Sequence, residues 1–230
     1  MTVLRSALFL VWFLAITTVL SLAFLPVLAL PREATVWLAR LWARWTFWGL
    51  KIFAGIGWEI RGTVPRGPVL VAAKHMSMWD TLALYLALDE PAIVLKRELL
   101  RIPFYGWFLA KAAAIPIDRG AGASALRKMA EAARQVLARG RPILIFPEGT
   151  RKKPGTPPDY KPGVAGLYGQ LDVDCVPVAL NSGVYWTGFL KRPGTIVLEF
   201  LEPIGPGLKR GAFMQLLEDR IETATNRLLP

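Results

Sequence analysis

Pro68-Val69-Leu70-Val71-Ala72-Ala73-Lys74-His75-Met76-Ser77-Met78-Trp79-Asp80 is an apolar run that ends on a Lys-His pair and then passes, through Ser77, into a helix-like stretch. The run is short and partly β-branched, as buried strands tend to be. Ser77 supplies the hydroxyl that a helix N-cap needs. The stretch therefore reads as strand, loop and helix start, a unit of α/β domains. His75 is the only histidine in 230 residues. An imidazole titrates near working pH and is the usual base for taking a proton from a hydroxyl, and a nearby carboxylate fixes its tautomer. Asp80 is the natural partner. On one continuous helix the step from His75 to Asp80 would turn about 500°, leaving the side chains roughly 140° apart. With His75 in the loop and a helix over 77–88, Asp80 falls in the first turn, points back at the loop and reaches the imidazole. Taken alone, His-x-x-x-x-Asp also fits a surface histidine beside an ordinary helix start. Three further segments bear on the choice.

Outward from this stretch, short apolar runs alternate with helical segments. The runs at 69–73, 92–95, 113–117, 143–146 and 175–180 read as strands, with 196–200 as a sixth, and 77–88, 105–112, 124–139, 164–171 and 213–228 read as helices. That alternation predicts an α/β domain with a mostly parallel sheet flanked by helices. Residues 151–162, with four prolines, form the one long irregular loop. His75 follows one strand, Ile117-Asp118-Arg119 closes a second, and Phe146-Pro147-Glu148-Gly149-Thr150-Arg151 closes a third. In an open parallel sheet the C-terminal strand ends share one edge, where ligands bind. The three segments would line one cleft holding a base, a carboxylate and two or three arginines.

The first 56 residues differ in character from the 57–230 domain. Residues 6–30 carry no charge, and as a helix they would measure about 37 Å against a bilayer core of about 30 Å. The run exceeds a signal-peptide core and lacks a small-residue cleavage site, so it reads as a retained anchor, with Pro26 kinking or ending it. Residues 35–56 read as a second helix with Trp37, Trp42, Trp45 and Trp48 around a stripe of Arg40, Arg44 and Lys51. Tryptophan and basic residues in that arrangement suit the headgroup level of a membrane or the second arm of an embedded hairpin; a core helix is the alternative.

Net charge is +11, and the excess is concentrated at 61–160, where sixteen basic residues face eight acidic ones. Such a patch favours phosphate-bearing partners. Nucleic acid is the weakest of these and is not expected as a partner, given the long apolar runs and the lack of a zinc-ligand pattern or basic-region helix. One histidine and scattered carboxylates give no metal-ligand cluster. The single cysteine, Cys175, lies inside a strand-like run and rules out an intramolecular disulfide. No Gly-x-Ser-x-Gly elbow is present, so an acyl-enzyme route has no evident nucleophile.

KHMSMWD, KRELLRIPFYGW leading to IPIDR, FPEGTR and VPVAL stand in the order and rough spacing of the four motif blocks of the glycerolipid acyltransferases, which the sequence resembles over Val69 to Leu180. Within that family it looks like the bacterial 1-acyl-sn-glycerol-3-phosphate acyltransferases. The resemblance implies transfer of a fatty acyl group from acyl-CoA or acyl-carrier protein to the sn-2 hydroxyl of lysophosphatidic acid, giving phosphatidic acid in phospholipid biosynthesis. It implies no cofactor beyond the acyl donor, and an α/β catalytic domain docked by an N-terminal helical pair on a bacterial inner membrane, facing the cytoplasm. Its partners would be membrane lipids, the lysolipid and the donor. His75 would be the general base and Asp80 its orienting carboxylate. Arg119 and Arg151 would grip the acceptor phosphate, because a guanidinium fork matches phosphate oxygens. Glu148 would hold the glycerol hydroxyl or Arg151, Gly149 and Thr150 would shape the turn, and Lys96, Arg97 and Arg101 would serve the anionic donor or face headgroups. Lys74 stands where the family often has Asn, and Met76 where it often has Gln. Acylation of another lysolipid, or anionic-lipid binding without catalysis, are the rival readings.

Overall fold

The structure, a computed structural model, describes residues 1–102, 105–118 and 122–230. It opens with α1 (Thr2–Ala23) and α2 (Arg32–Gly49), joined through a 3-10 turn at Leu25–Ala29. Pro26 sits in that turn, so the uncharged run ends as a helix before its proline, as a ring without an N–H requires. α2 runs into a π turn, Leu50–Ala54, closed by Gly55 at φ +70°. The expected helix to residue 56 therefore stops short, and an unexpected strand, β1 (Ile56–Arg61), follows it. Gly55 was the local sign, since a left-handed glycine commonly ends a helix.

The chain continues as β2 (Leu70–Ala73), α3 (Met78–Ala87), β3 (Ala92–Lys96), α4 (Tyr105–Lys111), β4 (Ile115–Ile117), α5 (Gly122–Leu137) and β5 (Ile143–Ile145). Then come α6 (Gly163–Leu171), β6 (Cys175–Leu180), the short α7 (Ser182–Tyr185), a small hairpin of β7 (Trp186–Thr187) and β8 (Leu190–Lys191), β9 (Gly194–Phe200) and α8 (Arg210–Leu228). Among the described residues the main sheet has seven strands in the order β1-β9-β6-β2-β5-β3-β4. β6, β2, β5, β3 and β4 are mutually parallel; β9 meets β6 antiparallel and carries β1 parallel beside it. The expected mostly parallel α/β sheet is present, with the reversal at β9 the feature that alternation did not indicate.

Strand alternation divides the core. Leu70 and Ala72 of β2 join Met129, Ala133, Leu167, Phe213, Leu217 and Ile221 of α5, α6 and α8 on one face. Val71 and Ala73 join Phe9, Phe47 and Leu50 of the N-terminal region and Trp79, Leu82 and Leu84 of α3 on the other. α2 is therefore a core helix along one stripe, where Phe47 stacks on Trp79 at 5.5 Å and 6°. Burying a side chain of that size contributes about 1.5–3 kcal/mol. Along another stripe it exposes Trp37, Trp45 and Trp48. α1 lies against α2 through Trp12, whose ring contacts Trp45, Trp48 and Phe53. Its outer stripe, Leu4, Leu8, Val11, Val19 and Leu22, is exposed and apolar but for Thr18 among them. By length and composition α1 is able to cross a membrane.

Candidate active site

Ser77 takes extended backbone angles, φ −147° and ψ 176°, which stops the strand and caps α3: its hydroxyl accepts from the N–H of Trp79 at 3.1 Å. Asp80 is the third residue of the helix and completes a capping box by accepting from the N–H of Ser77 at 2.8 Å. The same carboxylate oxygen accepts from the N–H of Met76 at 2.7 Å and lies 3.0 Å from Nδ1 of His75. The structure thus brings His75 and Asp80 together through the strand, loop and helix start that their spacing requires. With Asp80 fully buried, Nδ1–H donates to it, and Nε2 makes no hydrogen bond among the described residues. An imidazole held in this way presents its basic nitrogen outward and gains a stabilising charge when it is protonated.

The segment after β5 packs directly on this loop. Phe146 stacks on the His75 ring, with centroids 4.0 Å apart and planes at 22°. Lys152 N–H donates to the His75 carbonyl at 2.9 Å. Gly149, at φ +64°, closes the turn by donating to the Phe146 carbonyl at 2.9 Å, a conformation that favours glycine. Thr150 and Arg151 are exposed at the turn, beyond the buried Glu148. Glu148 does not hold Arg151. Its Oε1 accepts from Lys74 Nζ at 2.9 Å and its Oε2 from the His75 N–H at 3.4 Å. Burial raises the Glu148 carboxyl above the ordinary carboxylate range, and the Lys74 ammonium opposes that rise. Arg119 lies outside the described residues. Arg97 is 3.7 Å from Asp118 across the ends of β3 and β4, and Lys96 and Arg101 are exposed nearby in sequence. Cys175 is buried in β6, where desolvation raises its thiol well above the ordinary range, so it offers no thiolate.

Sequence reasoning missed several participants. Ser182 Oγ donates to Asp80 Oδ1, and Ser77 Oγ donates to Ser182 Oγ at 2.9 Å; each hydroxyl has a single proton, which sets that direction. Ser182 follows β6 at the same sheet edge as His75, so the edge rule that grouped the other segments applied to it also. Phe146 was visible as the first residue of FPEGTR, but nothing local marked it as the ring beneath the base. Glu222 of α8 reaches Lys74 Nζ at 2.7 Å and Tyr160 Oη at 2.8 Å, and no sequence signal linked it to the site. Arg40, expected on an outward basic stripe, instead donates to the carbonyls of Leu86 and Leu88 at the end of α3.

A protein-family model described as Acyltransferase matches residues 58–181. A 1-acyl-sn-glycerol-3-phosphate acyltransferase of Pseudomonas aeruginosa is 38% identical over 171 residues, 73% of this chain and 65% of that protein. A lyso-ornithine lipid O-acyltransferase of the same species is 40% identical over 111 residues, 46% of this chain and 40% of that protein. The chain thus spans less than two thirds of either relative's length. The crystal structure of a 1-acyl-sn-glycerophosphate acyltransferase of Thermotoga maritima superposes with a TM-score of 0.79 at 22% identity, covering 99% of this chain and 98% of that one. That likeness extends the shared fold to the N-terminal helices. The family match takes in more than half of the chain and every residue of the His75 site except Ser182 and Glu222; the chain belongs to the acyltransferase family.

Proposed function

We propose that the protein transfers a fatty acyl group from a thioester donor, acyl-CoA or acyl-carrier protein, to the free hydroxyl of lysophosphatidic acid, forming phosphatidic acid. The observation that carries the proposal is the 3.0 Å contact of His75 Nδ1 with buried Asp80, which leaves Nε2 as a base at the sheet edge where the Glu148–Arg151 turn ends. In the transfer, Nε2 takes the hydroxyl proton as the oxygen attacks the thioester carbonyl. The C–S bond then breaks, and the departing thiolate receives that proton from the imidazolium. No enzyme-bound acyl group is needed. Arg151 binds the acceptor phosphate, and Arg119 assists it.

The N-terminal pair docks the domain on the membrane, through the apolar stripe of α1 and the exposed tryptophans of α2. The expected setting is the bacterial inner membrane, with the domain on the cytoplasmic side, where the donors are. A lysolipid lacking a phosphate monoester, such as lyso-ornithine lipid, is the second reading, favoured by the likeness to the enzyme of that name.

Purified protein given labelled acyl donor and a panel of lysophosphatidic acid, lyso-ornithine lipid and neutral lysolipids tests this reading. Lysophosphatidic acid is expected to be acylated fastest. His75→Ala is expected to lose about 10² to 10⁴ in turnover while still binding vesicles. Arg151→Ala is expected to raise KM for lysophosphatidic acid, and Arg151→Lys to recover part of it, because an ammonium lacks the fork. Wild-type turnover in His75→Ala, or equal rates across the panel, would overturn the assignment.

A further inference from the structure

Lys74 directly precedes the base, and its side chain goes to the opposite face of the sheet. There its ammonium, 2% exposed, lies between two carboxylates brought by different elements: Glu148 from the turn after β5, at 2.9 Å, and Glu222 from α8, at 2.7 Å. The Glu222 oxygen that meets Lys74 also accepts from Tyr160, and Glu148 accepts from the peptide N–H of His75 through its other oxygen. The loop holding the base is thus fixed at three further points. Lys74 N–H donates to the Val178 carbonyl, Lys152 N–H donates to the His75 carbonyl, and the Lys74 ammonium joins the turn to α8.

A buried cluster of one cation and two anions is a poor way to gain stability, because apolar groups of similar volume do as well or better once desolvation is counted. What such a cluster supplies is geometry: each partner has one satisfactory position, and loss of the cation leaves two carboxylates facing one another. In this structure that geometry ends on the backbone of the only histidine.

We propose that Lys74 is a positioning residue for acyl transfer: clamped between Glu148 and Glu222, its ammonium holds the Glu148 carboxylate on the His75 N–H and sets the base loop against the turn that presents Arg151. The proposal rests on the acyl-transfer reading above. The groups that face the ammonium are Glu148 and Glu222, with the Tyr160 hydroxyl behind Glu222; Asp80 alone is the charged side chain bonded to the imidazole.

The test uses full-length protein in detergent, as wild type, Lys74→Met, Glu148→Gln, the double variant and Glu222→Gln, assayed with acyl donor and lysophosphatidic acid below each variant's melting temperature. Lys74→Met and Glu148→Gln are each expected to lower kcat about 10- to 100-fold, the scale of a small misplacement of a reacting group. The double variant is expected to fall no further than the worse single one, because both act through one link. Because the chain has one imidazole, its ring resonances give a second reading without assignment: Lys74→Met is expected to move their chemical shifts, since the ring would shift against Phe146, which stacks on it at 4.0 Å. Wild-type kcat with unmoved ring resonances in Lys74→Met, or losses that multiply in the double variant, would overturn the proposal. If Lys74→Met does not fold, Glu222→Gln decides, with an expected loss of about 3- to 10-fold, and wild-type kcat and ring resonances there overturn it. If the wild type does not acylate lysophosphatidic acid, the functional reading fails, and the ring resonances alone then judge Lys74.

Discussion

Asp80, fully buried, receives hydrogen bonds from the Met76 and Ser77 amides, from His75 Nδ1 and from the Ser182 hydroxyl. The Ser77 amide belongs to the capping box, and the Met76 amide is added by the loop before it. The Ser182 hydroxyl comes from beyond β6, and it fixes which way the carboxylate is turned toward the imidazole. Ser182→Ala is expected to leave Oδ1 with only the longer Ser77 contact, at 3.2 Å. Leaving a buried acceptor short of a partner costs about 1–3 kcal/mol. Steady-state assay is expected to show the cost as a several-fold loss of kcat at unchanged KM for the acceptor. A change confined to KM would mean that Ser182 meets substrate instead of Asp80.

α1 and α2 approach closely because Gly49 has no side chain. A Cβ built there would lie 2.1 Å from Cδ1 of Trp12, the ring that also contacts Trp45, Trp48 and Phe53. Trp12 Nε1 donates to the Trp45 carbonyl at 3.0 Å, so the indole yields only by giving up that bond and its ring contacts. Gly49→Ala is accordingly expected to separate the pair and to lower stability by about 1–3 kcal/mol, the usual cost of overpacking. Helix propensity alone would predict a gain of about 1 kcal/mol from the same change. Thermal melting decides between the two, since the signs differ.

At the scale of the whole molecule the N-terminal helices belong to the domain they dock. Phe9, Phe47, Leu50 and Ala54 are buried in the cluster beneath β2 and α3, and Arg5 donates to the Phe53 carbonyl at 3.0 Å. Deleting residues 1–56 is therefore expected to unfold the protein, not to release a soluble enzyme. Docking is better probed from outside: changing Leu4, Leu8, Val11, Val19 and Leu22 to Ser removes the exposed apolar stripe and leaves Phe9 and Trp12 in place. That variant is expected to melt like the wild type, to leave the vesicle fraction on flotation, and to lose more activity on bilayer-embedded acceptor than on a short-chain soluble one. Retention on vesicles would place docking elsewhere.

What could be read along the chain was whatever a few adjacent residues encode. An apolar run, a Ser at the helix start and a carboxylate three residues on determine strand, cap and first turn, and with them the meeting of His75 and Asp80. Alternation of such units determines a mostly parallel sheet, whose shared edge gathers the segments after β2 and β5. β1 escaped because four of its six residues are exposed and the helical pattern ran up to it. The partners of Lys74 and Asp80 escaped for a different reason. Glu148, Glu222 and Ser182 lie 74, 148 and 102 residues from the groups they touch. A pair at such separation leaves no periodicity in sequence, because it exists only once sheet order and helix packing have closed the intervening chain. Tertiary structure likewise decided that Glu148 faces an ammonium in the core and not Arg151: a turn closed by Gly149 sends the carboxylate inward and leaves Arg151 exposed.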